Sequence, residues 1–117
     1  MNVVRPAHDE DFADVVLGSA VPVVVGFCAA DRPAACEPLI SVLEELAAAA
    51  DDIGVVRVDV DDAPTTSAAY GISVVPSIVV FNAGTMVLAL PGTPSRETVQ
   101  HLLRVAVSPS TSAPQPG

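Results

Sequence analysis

Lysine and tryptophan are both absent from this chain, and the other aromatics amount to three phenylalanines and one tyrosine. Five arginines face 14 acids, a net charge of −9. Nucleic acids and anionic membrane surfaces need basic patches, so both are excluded as partners. Few aromatics mean that aliphatic side chains must fill the core. Two cysteines are too few for a disulfide scaffold. The longest nearly unbroken apolar run, Val21 to Ala30, is about half of the ~20 residues that span a bilayer. The N-terminal MNVVRPAHDEDF lacks the apolar region of a signal peptide. A cytoplasmic monomer with reduced thiols is therefore expected. No P-loop, dinucleotide fingerprint or Ser/His/Asp arrangement occurs, and no cofactor is expected. His8 and His101 stand in different segments without a second ligand at metal spacing. Asp59 and Asp61 read as a strand-end turn, so no metal site is expected.

What is present is a chain of 117 residues, half of them apolar, enough for one domain. Its organising stretch is Val21 to Leu46. Val21, Val23, Val24, Val25 and Phe27 form a β-branched apolar run, the mark of a strand buried on both faces. A loop with Asp31, Arg32 and Pro33 follows. Cys36, Leu39, Ile40, Leu43, Leu46 and Ala50 then recur at steps of three and four, one face of a helix. Pro38 falls in the first turn if this helix starts near Glu37, and kinks it if the start is near Pro33. Both cysteines, Cys28 and Cys36, lie at this strand–helix junction. In open α/β sheets, ligand chemistry gathers at the carboxyl ends of such strands.

Elsewhere, Asn2 to Arg5 is a candidate edge strand stopped by Pro6. Asp9 to Leu17 suits a short amphipathic helix, with acids at its start. Gly54 to Val60 is a second buried strand, and Pro64 to Tyr70 a short helix with Gly71 just past its end. Ser77 to Phe81 and Thr85 to Leu90 are strands joined by a hairpin at Asn82-Ala83-Gly84. Thr93 and Pro94 are placed to start a last helix, with Val99, Leu102, Leu103 and Ala106 on its apolar face. The Ser/Pro-rich segment Ser108 to Gly117 is expected to be disordered, leaving a domain over residues 1–107. The order β-α-β-α-β-α-β-β-α implies an α/β fold: a mixed central sheet of four to five strands with helices on both faces.

From Phe12 to Leu103 the sequence resembles the thioredoxin family. Pro22 to Ala29, PVVVGFCA, is similar to that family's P-V-L-V-D-F-W-A strand. Val58-Asp59-Val60-Asp61 with Pro64 is similar to V-D-x-D-x-x-P, and Tyr70-Gly71-Ile72 through Val75-Pro76-Ser77 to Y-G-I-x-x-I/V-P-T. Phe81 to Gly84 and Gly92 also match. The resemblance implies a thioredoxin fold and a cis Val75–Pro76 bond facing the active-site loop. It implies too that backbone at Val75 pairs with extended peptide.

The chemical positions depart from that pattern. Where the family has C-G-P-C, this chain has Pro33-Ala34-Ala35-Cys36, after one extra loop residue. Cys36 matches the resolving cysteine, Pro33 the nucleophile, Gly26 the buried acid, and Cys28 the tryptophan of F-W-A. Disulfide reduction needs thiolate attack and then release by a second thiol, and Pro33 supplies no thiol. The expected role is thus binding of an extended polypeptide or partner protein at Arg32, Pro33, Ala34, Val75 and Pro76, without ordinary dithiol catalysis. The alternative is a protein-disulfide oxidoreductase of cell redox homeostasis using Cys36, alone or with Cys28. Each cysteine also has a plain role available as a small buried hydrophobe.

Overall fold

The computed structural model of the chain describes residues 2–106. The segment expected to be disordered, Ser108 to Gly117, lies outside them. Five strands form one mixed sheet: β1 (Val4–Ala7), β2 (Val23–Cys28), β3 (Gly54–Asp59), β4 (Ser77–Asn82) and β5 (Thr85–Pro91). Their spatial order is β1-β3-β2-β4-β5. β3 runs parallel to both β1 and β2, while β4 is antiparallel to β2 and β5. The central position of β2 accounts for its composition, because every residue from Val23 to Phe27 is buried.

Three helices, α1 (Pro33–Ala49), α2 (Pro64–Ala69) and α3 (Arg96–Ala106), cover the sheet. Side-chain alternation along β2 divides the core. Val24 packs with Leu39, Leu43 and Leu46 of α1 and with Val99 and Leu103 of α3. Val23, Val25 and Phe27 pack on the opposite face with Phe12, Val16 and Ala63. Phe12, Tyr70 and Phe81 meet there, with ring centroids 5.1–5.7 Å apart, within the range of favourable aromatic pairs. No helix among the described residues is long and apolar enough to cross a membrane.

Several boundaries differ from the sequence expectation. β1 runs through Pro6 instead of stopping there. It is an edge strand with a single neighbour, so one N–H side needs no partner, and proline is tolerated. The helix expected from Asp9 to Leu17 is present but shorter, a π-helix over Ala13–Leu17 closed by the Gly18 N–H on the Ala13 carbonyl at 2.8 Å. α1 begins at Pro33, the earlier of the two starts the sequence left open, which puts Pro38 inside it. The last helix starts at Arg96, not Pro94, because Ser95 caps it: its hydroxyl accepts the Thr98 N–H at 3.1 Å. The β4–β5 hairpin turns on Ala83 and Gly84 alone, both at positive φ (54° and 80°), the geometry that matches strand twist.

Candidate functional site

β2 delivers Cys28 to its carboxyl end, on the face that α1 covers. Two residues earlier on that face, Gly26 lets the helix approach closely: a Cβ there would sit 2.6 Å from Leu43 Cδ1 and 3.3 Å from Leu39 Cδ2. Leucine methyls therefore occupy the space where the family pattern would put a buried acid. After Cys28, a turn closes with the Arg32 N–H on the Ala29 carbonyl (3.0 Å). The Arg32 carbonyl then accepts the Ala35 and Cys36 N–H groups (3.1 Å each), starting α1. This tight return sets the first turn of α1 against the end of β2.

Cys36 is buried, at 4% exposure, and its sulfur is held at both sides by Ala29. The Ala29 N–H donates to Sγ at 3.3 Å, and the Cys36 thiol donates to the Ala29 carbonyl at 3.6 Å. Cys28 is half-buried. Burial, then its interaction with the neighbouring Cys36 thiol, pushes the Cys28 thiol up to about 12. Asp59 adds to the rise and Arg57 opposes it. The Cys36 thiol donates to the Ala29 carbonyl, so the two sulfurs are neighbours rather than a donor–acceptor pair.

Both cysteines line one cavity of about 210 Å³. Ala29, Ala30, Pro33 and Ile40 give it apolar walls, and Glu37, Arg57 and Asp59 bring charge. The strand register explains the last two. Gly26 pairs with Arg57 and Cys28 with Asp59 in the parallel β2–β3 ladder, so each pair shares a face. Arg57 was missed in the sequence, where it reads as one charge in an apolar strand. The period of β3 gives its face, but only the pairing register puts it beside the cysteines.

The structure brings Cys28, Cys36 and Pro33 into the lining of one cavity, which the remaining candidates do not line. Arg32 and Ala34 are exposed at the start of α1 and do not line the cavity. Val75 and Pro76 precede β4; their peptide bond is cis. Val75 packs with the core on the opposite face of the sheet from Cys28, and neither residue lines the thiol cavity. The groups that the sequence left without a role are placed as follows. His8 Nδ1 pairs with the Asp62 carboxylate, His101 is exposed on α3, and Asp59 Oδ1 accepts the Asp61 N–H at 3.0 Å. Among the described residues, no three His, Cys, Asp or Glu side chains are grouped to hold a metal ion.

A five-stranded mixed sheet, helices on both faces and a thiol pair at the end of the central strand define a redox-type α/β domain. The family model described as Thioredoxin matches residues 3–105. The chain is 34% identical over 101 residues to the M-type chloroplastic thioredoxin of Chlamydomonas reinhardtii, covering 82% of this chain and 71% of that one. It is 31% identical over 104 residues to thioredoxin 1 of Synechococcus elongatus (88% and 96% covered). It is 34% identical over 98 residues to the thioredoxin of Haemophilus influenzae (80% and 91%). This chain belongs to the thioredoxin family and is a thioredoxin-like redox protein.

Proposed function

We propose that this protein is a thiol–disulfide oxidoreductase of cytoplasmic redox homeostasis whose working dithiol is Cys28 and Cys36. The observation that carries this function is their shared cavity: one half-buried thiol at its surface and one buried thiol behind. Cys28, the more accessible, attacks a target disulfide. Cys36, held by Ala29, then attacks the Cys28 sulfur and releases the second half of the target. The roles are placed differently from the family pattern, with the attacking sulfur on a strand end and the resolving sulfur on the helix. Pro33 stands where the family's nucleophile would be.

Slow turnover follows from the Cys28 thiol at about 12. At pH 7 little of it is thiolate, and the greater nucleophilicity of a basic thiolate recovers only part of that loss.

Insulin reduction with dithiothreitol tests the assignment. Expected results are slow turnover by wild type, none by Cys28→Ser, and a trapped mixed disulfide on Cys28 in Cys36→Ser. Undiminished activity in Cys28→Ser rules the assignment out. A wild type that neither turns over nor forms an internal disulfide favours instead a peptide-binding role without catalysis. Val74, 54% exposed next to Val75 and Pro76, supplies an apolar contact for that role.

A further inference from the structure

The thiol cavity is small and carries its own charge pattern. At about 210 Å³ it falls below the roughly 300–1,000 Å³ of sites that take drug-sized ligands. It has room for a fragment of a few heavy atoms, not for a folded segment of another protein. Pro33 and Ile40 give it apolar sides, and Cys28 lies beside them as a small side chain. Glu37 and Asp59 outnumber Arg57, so the local balance is negative in a chain that is already at −9. We infer that the preferred substrate is a low-molecular-weight disulfide bearing an ammonium group a short apolar spacer away from its sulfur. This substrate class rests on the dithiol assignment above. The spacer lies on the apolar sides, the ammonium faces Glu37 and Asp59, and the sulfur meets Cys28.

A cation in that position does more than bind. Burial, above all, holds the proton on Cys28 and Asp59 adds a smaller share; a bound ammonium offsets that share, favouring the thiolate more when substrate is present. The exchange then balances. Cys28 loses its proton to solvent base and attacks one sulfur of R–S–S–R, forming a Cys28–S–S–R bond and expelling RS⁻, which takes up a proton. Cys36 loses its proton and attacks the Cys28 sulfur, forming the Cys28–Cys36 disulfide and expelling the second RS⁻. The two cysteines are oxidised by two electrons and the substrate is reduced to two thiols. Dithiothreitol returns the pair to the dithiol in the assay.

The test compares three disulfides of similar size: cystamine (two positive charges), bis(2-hydroxyethyl) disulfide (neutral) and dithiodiglycolate (two negative charges). Oxidation of the reduced full-length protein is followed by intact mass at pH 8, in low salt and in 0.5 M NaCl. Each rate is divided by that of 1-thioglycerol, a neutral thiol, with the same disulfide, which removes intrinsic reactivity. The normalised rate for cystamine is expected to exceed that for dithiodiglycolate by at least tenfold in low salt, and to fall toward it in high salt. Glu37→Gln/Asp59→Asn should remove most of the preference. Asp51→Asn/Asp52→Asn, which deletes equal charge beyond the far end of α1, should retain it. Equal normalised rates, or an equal loss in both double variants, overturn the pocket assignment while leaving the dithiol standing. Failure of all three disulfides to oxidise the pair overturns both.

Discussion

Gly26 and Cys28 occupy neighbouring positions on one face of β2, and each sets a property of the site. At Gly26 the absence of a side chain is what lets Leu43 and Leu39 pack against the strand. Gly26→Ala is expected to cost about 1–3 kcal/mol, because the added methyl overpacks a close-packed core. Leu43→Ala should cost about 2–5 kcal/mol by opening a cavity. In the Leu43→Ala background the added methyl fills that cavity, so Gly26→Ala becomes neutral or stabilising. Urea denaturation of the four proteins in this cycle measures the reversal. Restoring an acid at Gly26 meets the same leucines and should unfold the domain rather than activate it.

For Cys28 the raised pKa predicts reactivity and stability against pH. Alkylation by iodoacetamide, mapped to Cys28 by peptide mass, should accelerate about tenfold per pH unit from 7 to 11 without a plateau, since each unit raises the thiolate fraction tenfold. A plateau near pH 8 would show an ordinary thiol. On stability, the folded thiol holds its proton more tightly than the unfolded one, whose value is near 9.0. The contribution is complete below that pH and is lost as the pH rises toward about 12. Wild type should therefore lose urea resistance between pH 9 and 11 faster than Cys28→Ala does.

Among the elements, α2 is too short to hold itself together and is capped from a distant part of the chain. Asp9 accepts the Thr65 and Thr66 N–H groups (3.2 and 2.8 Å) and the Thr66 hydroxyl (2.8 Å). The Thr66 backbone bond, first among several, holds the Asp9 carboxyl below its ordinary value. That contribution is present above the unfolded value of 3.8 and lost as pH falls through the lower folded one. Asp9→Ala should lower the melting temperature at pH 7 and flatten the loss of stability between pH 4 and 2. At the start of α1 the helix dipole favours negative charge, and Pro33 presents none to it. Pro33→Cys should gain insulin-reduction activity tenfold or more over wild type, since a thiol there has a lowered pKa and Cys36 three residues on. In β2, Val25→Asp buries an unpaired charge at a fully buried position and should leave the protein unfolded at 25 °C by circular dichroism.

At the scale of the whole molecule, the net charge of −9 and a pI near 4.2 govern behaviour in solution. Turbidity should peak near pH 4.2 and clear on either side, because molecules without net charge no longer repel one another. The sheet order sets the position of the chemistry. With β2 between β3 and β4, the thiols on the α1 face look toward Arg57 and Asp59 of β3, while Val75 packs on the other face.

The sequence by itself determined the elements and the family. Runs of β-branched residues, helical spacing in α1 and α3, and the Pro–Gly punctuation are local signals, and each is strong in this chain. Boundaries slipped where a tertiary partner decides them: Pro6 is tolerated because β1 lies on an edge, and Ser95 took the capping role assigned to Thr93. The cysteines were legible as residues but their relation was not. Eight positions separate Cys28 from Cys36, and no local pattern says whether a loop of that length folds back. The Ala29–Arg32 turn and the bonds of Ala29 to the Cys36 sulfur settle it. Nor does the sequence show that Arg57 and Asp59 border the thiols, because a strand's partners are set by long-range pairing register, which forms only when the whole sheet assembles.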